Sequence, residues 1–148
     1  MKKFSFPLEA YLQLKKMREL QQMTELAKVN QRISSFRQEI DKNMSESTKL
    51  LREDSMAMKT RGINLGDILT RRRYMQNLRI RANVADREIE KLKPELQKQT
   101  EILRKASTEK RAVEILKENA LKSYHSEVLK QERLELDEQN MMRVAKNV

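Results

Sequence analysis

The chain has 148 residues, of which 36% are charged and 38% hydrophobic, with three Phe, no Trp and a formal net charge of +10. That is too few bulky apolar side chains to close a globular core, and it points to helices sharing a narrow apolar stripe. There is no cysteine, so disulfides, thiolate metal sites and cysteine nucleophiles are excluded. No run approaches the roughly 18 apolar residues of a membrane span. Met1-Lys2-Lys3 looks like the start of a signal segment, but Glu9 and Gln13 interrupt any apolar stretch after it, so a soluble cytoplasmic protein is expected.

Phe4-Ser5-Phe6-Pro7 opens the first helix, predicted over about residues 6–60, with Ser5 as its cap and Pro7 in its first turn. Leu8, Tyr11, Leu12, Leu14, Met17 and Leu20 then cover more than one stripe. That width fits either packing on a second helix or a surface for another protein. The apolar phase slips near Met23 to Leu26. From there Leu26, Val29, Ile33, Phe36, Ile40, Asn43, Ser47 and Leu50 recur at alternate steps of three and four, the signature of a coiled-coil seam. From Asp54 to Lys59 the spacing is lost and fraying is expected.

Both glycines fall in Gly62-Ile63-Asn64-Leu65-Gly66. Glycine accepts backbone angles that reverse a chain, so residues 61–67 read as the tip of a hairpin. Asn64 or Asp67 caps a second helix predicted over about residues 68–145. Its seam runs through Met75, Leu78, Ala82, Ala85, Ile89, Leu92, Leu96, Gln99, Leu103 and Ala106. Folding one seam onto the other pairs Leu26 with Leu103, Ile33 with Leu96, Ile40 with Ile89, Ser47 with Ala82 and Leu50 with Leu78, which centres the turn near Asn64. Pro94 predicts a kink without a break, opposite the small Ser34 and Ser35. Beyond roughly Leu121 helix one has nothing left to offer. The C-terminal helix then overhangs, exposing Val128, Leu129, Leu134, Leu136, Met141 and Met142; a lone helix of that kind is marginal in water. The expected fold is all-α, a long two-helix antiparallel coiled-coil hairpin over residues 1–148 with an overhanging C-terminal helix. Such a rod has no closed core and no concave pocket.

Catalytic chemistry finds no foothold. His125 is the single histidine and has no companion ligands, so no metal is expected. The two glycines lack the Lys-Ser/Thr that a phosphate loop needs, and no cofactor is expected. A non-enzyme is the reading. Arg71, Arg72, Arg73, Arg79 and Arg81 form the densest basic cluster, with no acid between them, whereas residues 132–138 are acidic. The two ends therefore suit different partners. The arginines fit a solvated face or an acidic protein partner better than nucleic acid, because no recognised DNA-binding pattern accompanies them.

Phe4-Ser5-Phe6-Pro7-Leu8-Glu9-Ala10-Tyr11-Leu12-Gln13-Leu14 resembles the Phe-x-Phe-x-Leu-x-x-x-Leu start of the FliJ family, the small coiled-coil component of the bacterial flagellar export apparatus. Gln131-Glu132-Arg133-Leu134-Glu135-Leu136-Asp137-Glu138 is similar to that family's glutamate-rich tail. The resemblance implies a fold like the coiled-coil stalk of the rotary ATPase gamma subunit, and a role in type III flagellar export. It implies binding of a hexameric export ATPase (FliI-like) by the end that carries both termini. Phe6, Leu8, Leu12, Leu14 and Met17 would serve there, with Leu134, Leu136, Asp137 and Glu138. It implies binding of the export gate protein (FlhA-like) near the tip through Tyr74 and Leu78. Leu50 joins that set by geometry, and Arg71, Arg72 and Arg73 join it on charge alone. Export chaperones are further partners on this reading; nucleic acid and direct membrane insertion are not. The implied place is the cytoplasmic face of the export apparatus. A generic structural coiled coil, or a basic nucleic-acid-binding one, is the alternative.

Overall fold

The computed structural model describes residues 3–60, 62 and 64–147. Among them are two helices and no strand: α1 (Glu9–Thr60) and α2 (Leu65–Lys146). Their packing falls into two compact units. One joins Met1–Gln21 to Arg104–Val148, and the other is Gln22–Leu103. In each, low-numbered residues of α1 meet high-numbered residues of α2, so the helices run antiparallel.

Gln22–Leu103 holds the apolar seam. Val29, Ile33 and Ile89 are buried, and Phe36, Ile40, Leu92 and Leu96 pack around them. Every seam position read from the spacing, Leu26 to Leu50 and Met75 to Ala106, is buried or half-buried. The fraying expected at Asp54–Lys59 does not occur. Helix α1 stays regular to Thr60, whose hydroxyl donates to the Met56 carbonyl at 2.8 Å. The seam runs on through Asp54 and Ala57, facing Ile68 and Arg71, and it escaped notice because an Asp54–Arg71 ion pair fills it. That pair also fixes the local register. Stepping from it along both seams sets Leu50 opposite Met75, Ser47 opposite Leu78 and Ile40 opposite Ala85. Each is about half a heptad from the partner predicted.

The tip is short. Gly62 adopts φ +78, the left-handed region that ends helices and that a Cβ disfavours. Asn64, not Asp67, caps α2. Its Oδ1 accepts from the Gly66 N–H at 3.2 Å, and its carbonyl accepts from the Ile68 N–H at 3.2 Å. Helix α2 therefore starts at Leu65, inside the predicted tip, and Gly66 is already helical. Arg61 and Ile63 of the predicted tip lie outside the described residues. Pro94 interrupts nothing: α2 is continuous through it, and Pro94, Ser34 and Ser35 are all exposed. The proline ring faces away from α1, so the two serines have nothing to accommodate. The carbonyl four residues before the proline belongs to exposed Glu90 and can turn to water.

Phe6, Pro7 and Leu8 precede α1. The Glu9 N–H donates to the Phe6 carbonyl at 3.1 Å, closing a turn with proline at its favoured second position. Helix α1 thus begins at Glu9 rather than near residue 6, and Ser5 lies too far upstream to cap it. Helix α1 does not slip phase near Met23 to Leu26. Within the helix, burial recurs at Leu12, Lys15, Glu19, Gln22, Leu26 and Val29 in unbroken steps of three and four. The apparent slip came from polar residues holding seam positions.

Candidate protein-binding surfaces

In the terminal unit the seam mixes buried Leu12 and Val113 with charged residues paired across the helices. The Lys15 ammonium donates to Glu109 at 2.6 Å and sits 5.1 Å from the Tyr11 ring centroid. Glu19 accepts from the Ser107 hydroxyl at 2.7 Å and pairs with Lys110 at 2.6 Å. Glu9 pairs with Lys117 at 2.7 Å. Hydrogen bonds from Lys117, Lys110 and Lys15 hold the carboxyls of Glu9, Glu19 and Glu109, respectively, below the usual carboxylate value. The same contacts raise the Lys15 and Lys110 ammonium groups.

Because charged residues fill some of the inward positions, surplus apolar residues at and just before the start of α1 face out. Leu8, Tyr11, Leu14, Met17 and Leu20 are all exposed. Leu12 is the buried member of the set predicted for the termini end, at 1% exposure. It packs inward and can act on a partner only by positioning its neighbours. Phe6 is half-buried in the turn before α1.

The overhang starts later than the sequence implied. Residues 3–8 run on beyond α1, and the Phe4 ring meets Tyr124 at 5.5 Å. Val128 is half-buried and only from Leu129 onward is every described residue exposed. Leu134, Leu136, Asp137 and Glu138 sit on that bare helix. The structure does not bring them against Phe6, Leu8, Leu14 or Met17, although both sets belong to one unit.

Near the tip, the Arg71 guanidinium donates to Asp54 and the Tyr74 hydroxyl donates to Glu46 at 2.7 Å, which pushes the tyrosine pKa up. Arg72 and Arg73 are exposed, Leu50 is half-buried, and Leu78 is 2% exposed. Leu78 nevertheless floors a groove of about 460 Å³ between the helices, a concavity that a regular two-helix rod was expected to lack. Small side chains at two seam positions, Ser47 opposite Leu78 and Ala82 opposite Asn43, open it, and exposed Met44 and Leu51 rim it. Asn43 closes one side with its Nδ2 buried and unpaired. Sequence reasoning chose Leu50 and missed Met44, Leu51 and Asn43. The available signal was the pair of small residues where the seam wants large ones.

The family model described as flagellar FliJ protein matches residues 4–148. The chain belongs to the FliJ family. It is therefore a component of flagellar protein export, and the family is a structural one. Comparison with curated proteins finds no significant match, and comparison with solved structures finds none. Among the described residues of this FliJ-family chain, no helix is long and apolar enough to cross a membrane, and no His, Cys, Asp or Glu cluster is placed to hold a metal ion. His125 is exposed, with its ring edge-on to Tyr124 at 5.8 Å.

Proposed function

We propose that this FliJ-family protein is a non-enzymatic stalk of the export apparatus, working at its cytoplasmic face. Its termini end engages a hexameric export ATPase and its tip region engages the export gate protein. One observation carries the first half: Leu8, Tyr11, Leu14, Met17 and Leu20 are all exposed, spread over more than one side of the chain's first turns, on a unit whose seam is closed by Leu12, Val113 and cross-helix ion pairs. A face of this size is not needed for the fold of the unit and gains stability only when another protein covers it. The bare helix from Leu129 adds a second apolar segment at the same end. Asp137 and Glu138 supply charge for basic residues on the partner.

The gate contact draws support from the groove floored by Leu78 and rimmed by Met44 and Leu51; Tyr74, one turn before Leu78, is exposed on the other flank of the seam and bonded to Glu46. An apolar side chain from the gate protein fits that depression, Arg79 adds charge at its wall, and Arg72 and Arg73 extend the positive charge toward the tip. Such a stalk couples its partners only if it favours one state of each over the other.

The test is pairwise. Leu14→Ala with Met17→Ala, or Leu134→Ala with Leu136→Ala, is expected to weaken ATPase binding by about ten- to a hundredfold and to leave gate binding unchanged. Tyr74→Ala with Leu51→Ala should do the reverse. Loss of both interactions by either set, or of neither, refutes the division of labour. A stable dimer in sedimentation, abolished by the Leu134 and Leu136 pair, would favour a self-associating structural coiled coil instead.

A further inference from the structure

The outer side of α2 next to the tip carries a second surface that the fold does not use. From Ile68 to Ala85 the sequence has five arginines and no acidic residue. Arg71 is paired with Asp54. Arg72, Arg73, Arg79 and Arg81 are exposed, and none forms an ion pair among the described residues. The seam takes Ile68, Arg71, Met75, Leu78, Ala82 and Ala85. At the helical repeat, Leu69, Arg73, Gln76 and Ile80 fall on the side away from the seam, and Leu65 and Arg72 lie on the adjoining flank, so that the six share one continuous face. Leu65, Leu69, Ile80 and Val84 are each more than half exposed. A face that only met water would carry polar residues there; this one is basic and apolar together.

We propose that this outward face of α2, centred on Leu69, Arg72, Arg73 and Ile80, docks in the plane of an anionic phospholipid surface. The arginines pair with lipid phosphates while Leu65, Leu69 and Ile80 enter the boundary between headgroups and acyl chains. Charge complementarity selects anionic lipid, and the apolar residues select lipid over other polyanions. Duplex DNA offers phosphates but nothing for exposed leucine and isoleucine. A folded acidic protein would need pockets shaped to these side chains, whereas a fluid bilayer adapts to the convex side of a single helix. The contact is interfacial and requires no membrane-crossing helix, in keeping with α2 having none. It goes beyond the export-stalk reading and does not depend on it.

The full chain is sedimented with vesicles of phosphatidylcholine alone and of phosphatidylcholine mixed with phosphatidylglycerol, at physiological salt. Retention is expected on the mixed vesicles only. Arg72→Gln with Arg73→Gln should cut partitioning by about 25-fold, at roughly fivefold per arginine. Leu69→Gln with Ile80→Gln should cut it by at least about tenfold. All four positions are exposed, so helicity by circular dichroism should stay at the wild-type level. No retention on phosphatidylglycerol vesicles overturns the proposal. So does binding unchanged by Leu69→Gln with Ile80→Gln, or duplex DNA retention as tight as vesicle retention, since either would reduce the face to a generic polyanion patch.

Discussion

Asn43 stands at a seam position, 7% exposed, and its Nδ2 has no hydrogen-bond partner. Replacing it with leucine removes a buried unpaired amide, which costs about 1–3 kcal/mol. Burying leucine instead gains about 1.5–3 kcal/mol when the site has room, and the adjoining groove of about 460 Å³ provides it. Allowing for imperfect packing, Asn43→Leu should stabilise the Gln22–Leu103 unit by about 2–4 kcal/mol. At a urea dependence of roughly 2 kcal/mol per molar, the midpoint should rise by about 1–2 M. Asn43→Ala is the control: it relieves the amide but enlarges the groove, so its midpoint should move by less than about 0.5 M. Urea unfolding followed by circular dichroism, with hydrogen exchange at amides around Leu78, reads both. A leucine variant no more resistant than wild type would refute the reasoning. It would mean that the amide is satisfied in solution or that the groove collapses around asparagine.

Three further outcomes follow from the same geometry. Gly62→Ala forces a Cβ into φ +78 and should cost about 1–2 kcal/mol. Gly66→Ala, where the added Cβ meets only Asn64 Oδ1 at an ordinary 3.5 Å, should gain up to about 1 kcal/mol; thermal melts giving the same sign for both would contradict the tip as drawn. The depressed carboxyls of Glu9, Glu19 and Glu109 stabilise the terminal unit above the ordinary value of 4.5, and that contribution is lost as pH falls through their lowered values. The raised Lys15 and Lys110 contribute fully below 10.5, and that contribution is lost as pH rises through their raised values. Hydrogen exchange in this unit should therefore accelerate on both sides of a neutral plateau, and Glu19→Gln should shrink the acid-side loss. Asp54→Ala leaves Arg71 unpaired and should cost about 1 kcal/mol, discounted because Arg71 is one-third exposed. Asp54→Leu with Arg71→Leu should recover that loss or exceed it, which a double-mutant urea series checks.

The apolar period, the glycines and the scarcity of large hydrophobics were enough to read two helices, one reversal and the seam from Leu26 to Leu50 against Met75 to Ala106. Those features are local, since a stripe with a coiled-coil period can be satisfied only by a second helix laid along it. Where polar residues occupy seam positions the pattern fell silent. Lys15, Glu19, Asp54 and Arg71 are inward only because a specific partner across the seam neutralises each one, and no spacing rule names that partner in advance. The same dependence on what lies opposite decided the register, the cap at Asn64 and the extra cover that Phe4 gives Tyr124. It also decided which apolar residues were left over. Leu12 and Leu78 went inside while Leu14, Met17, Leu69 and Ile80 stayed out, so the proposed binding faces are the remainder after the seam has taken its share.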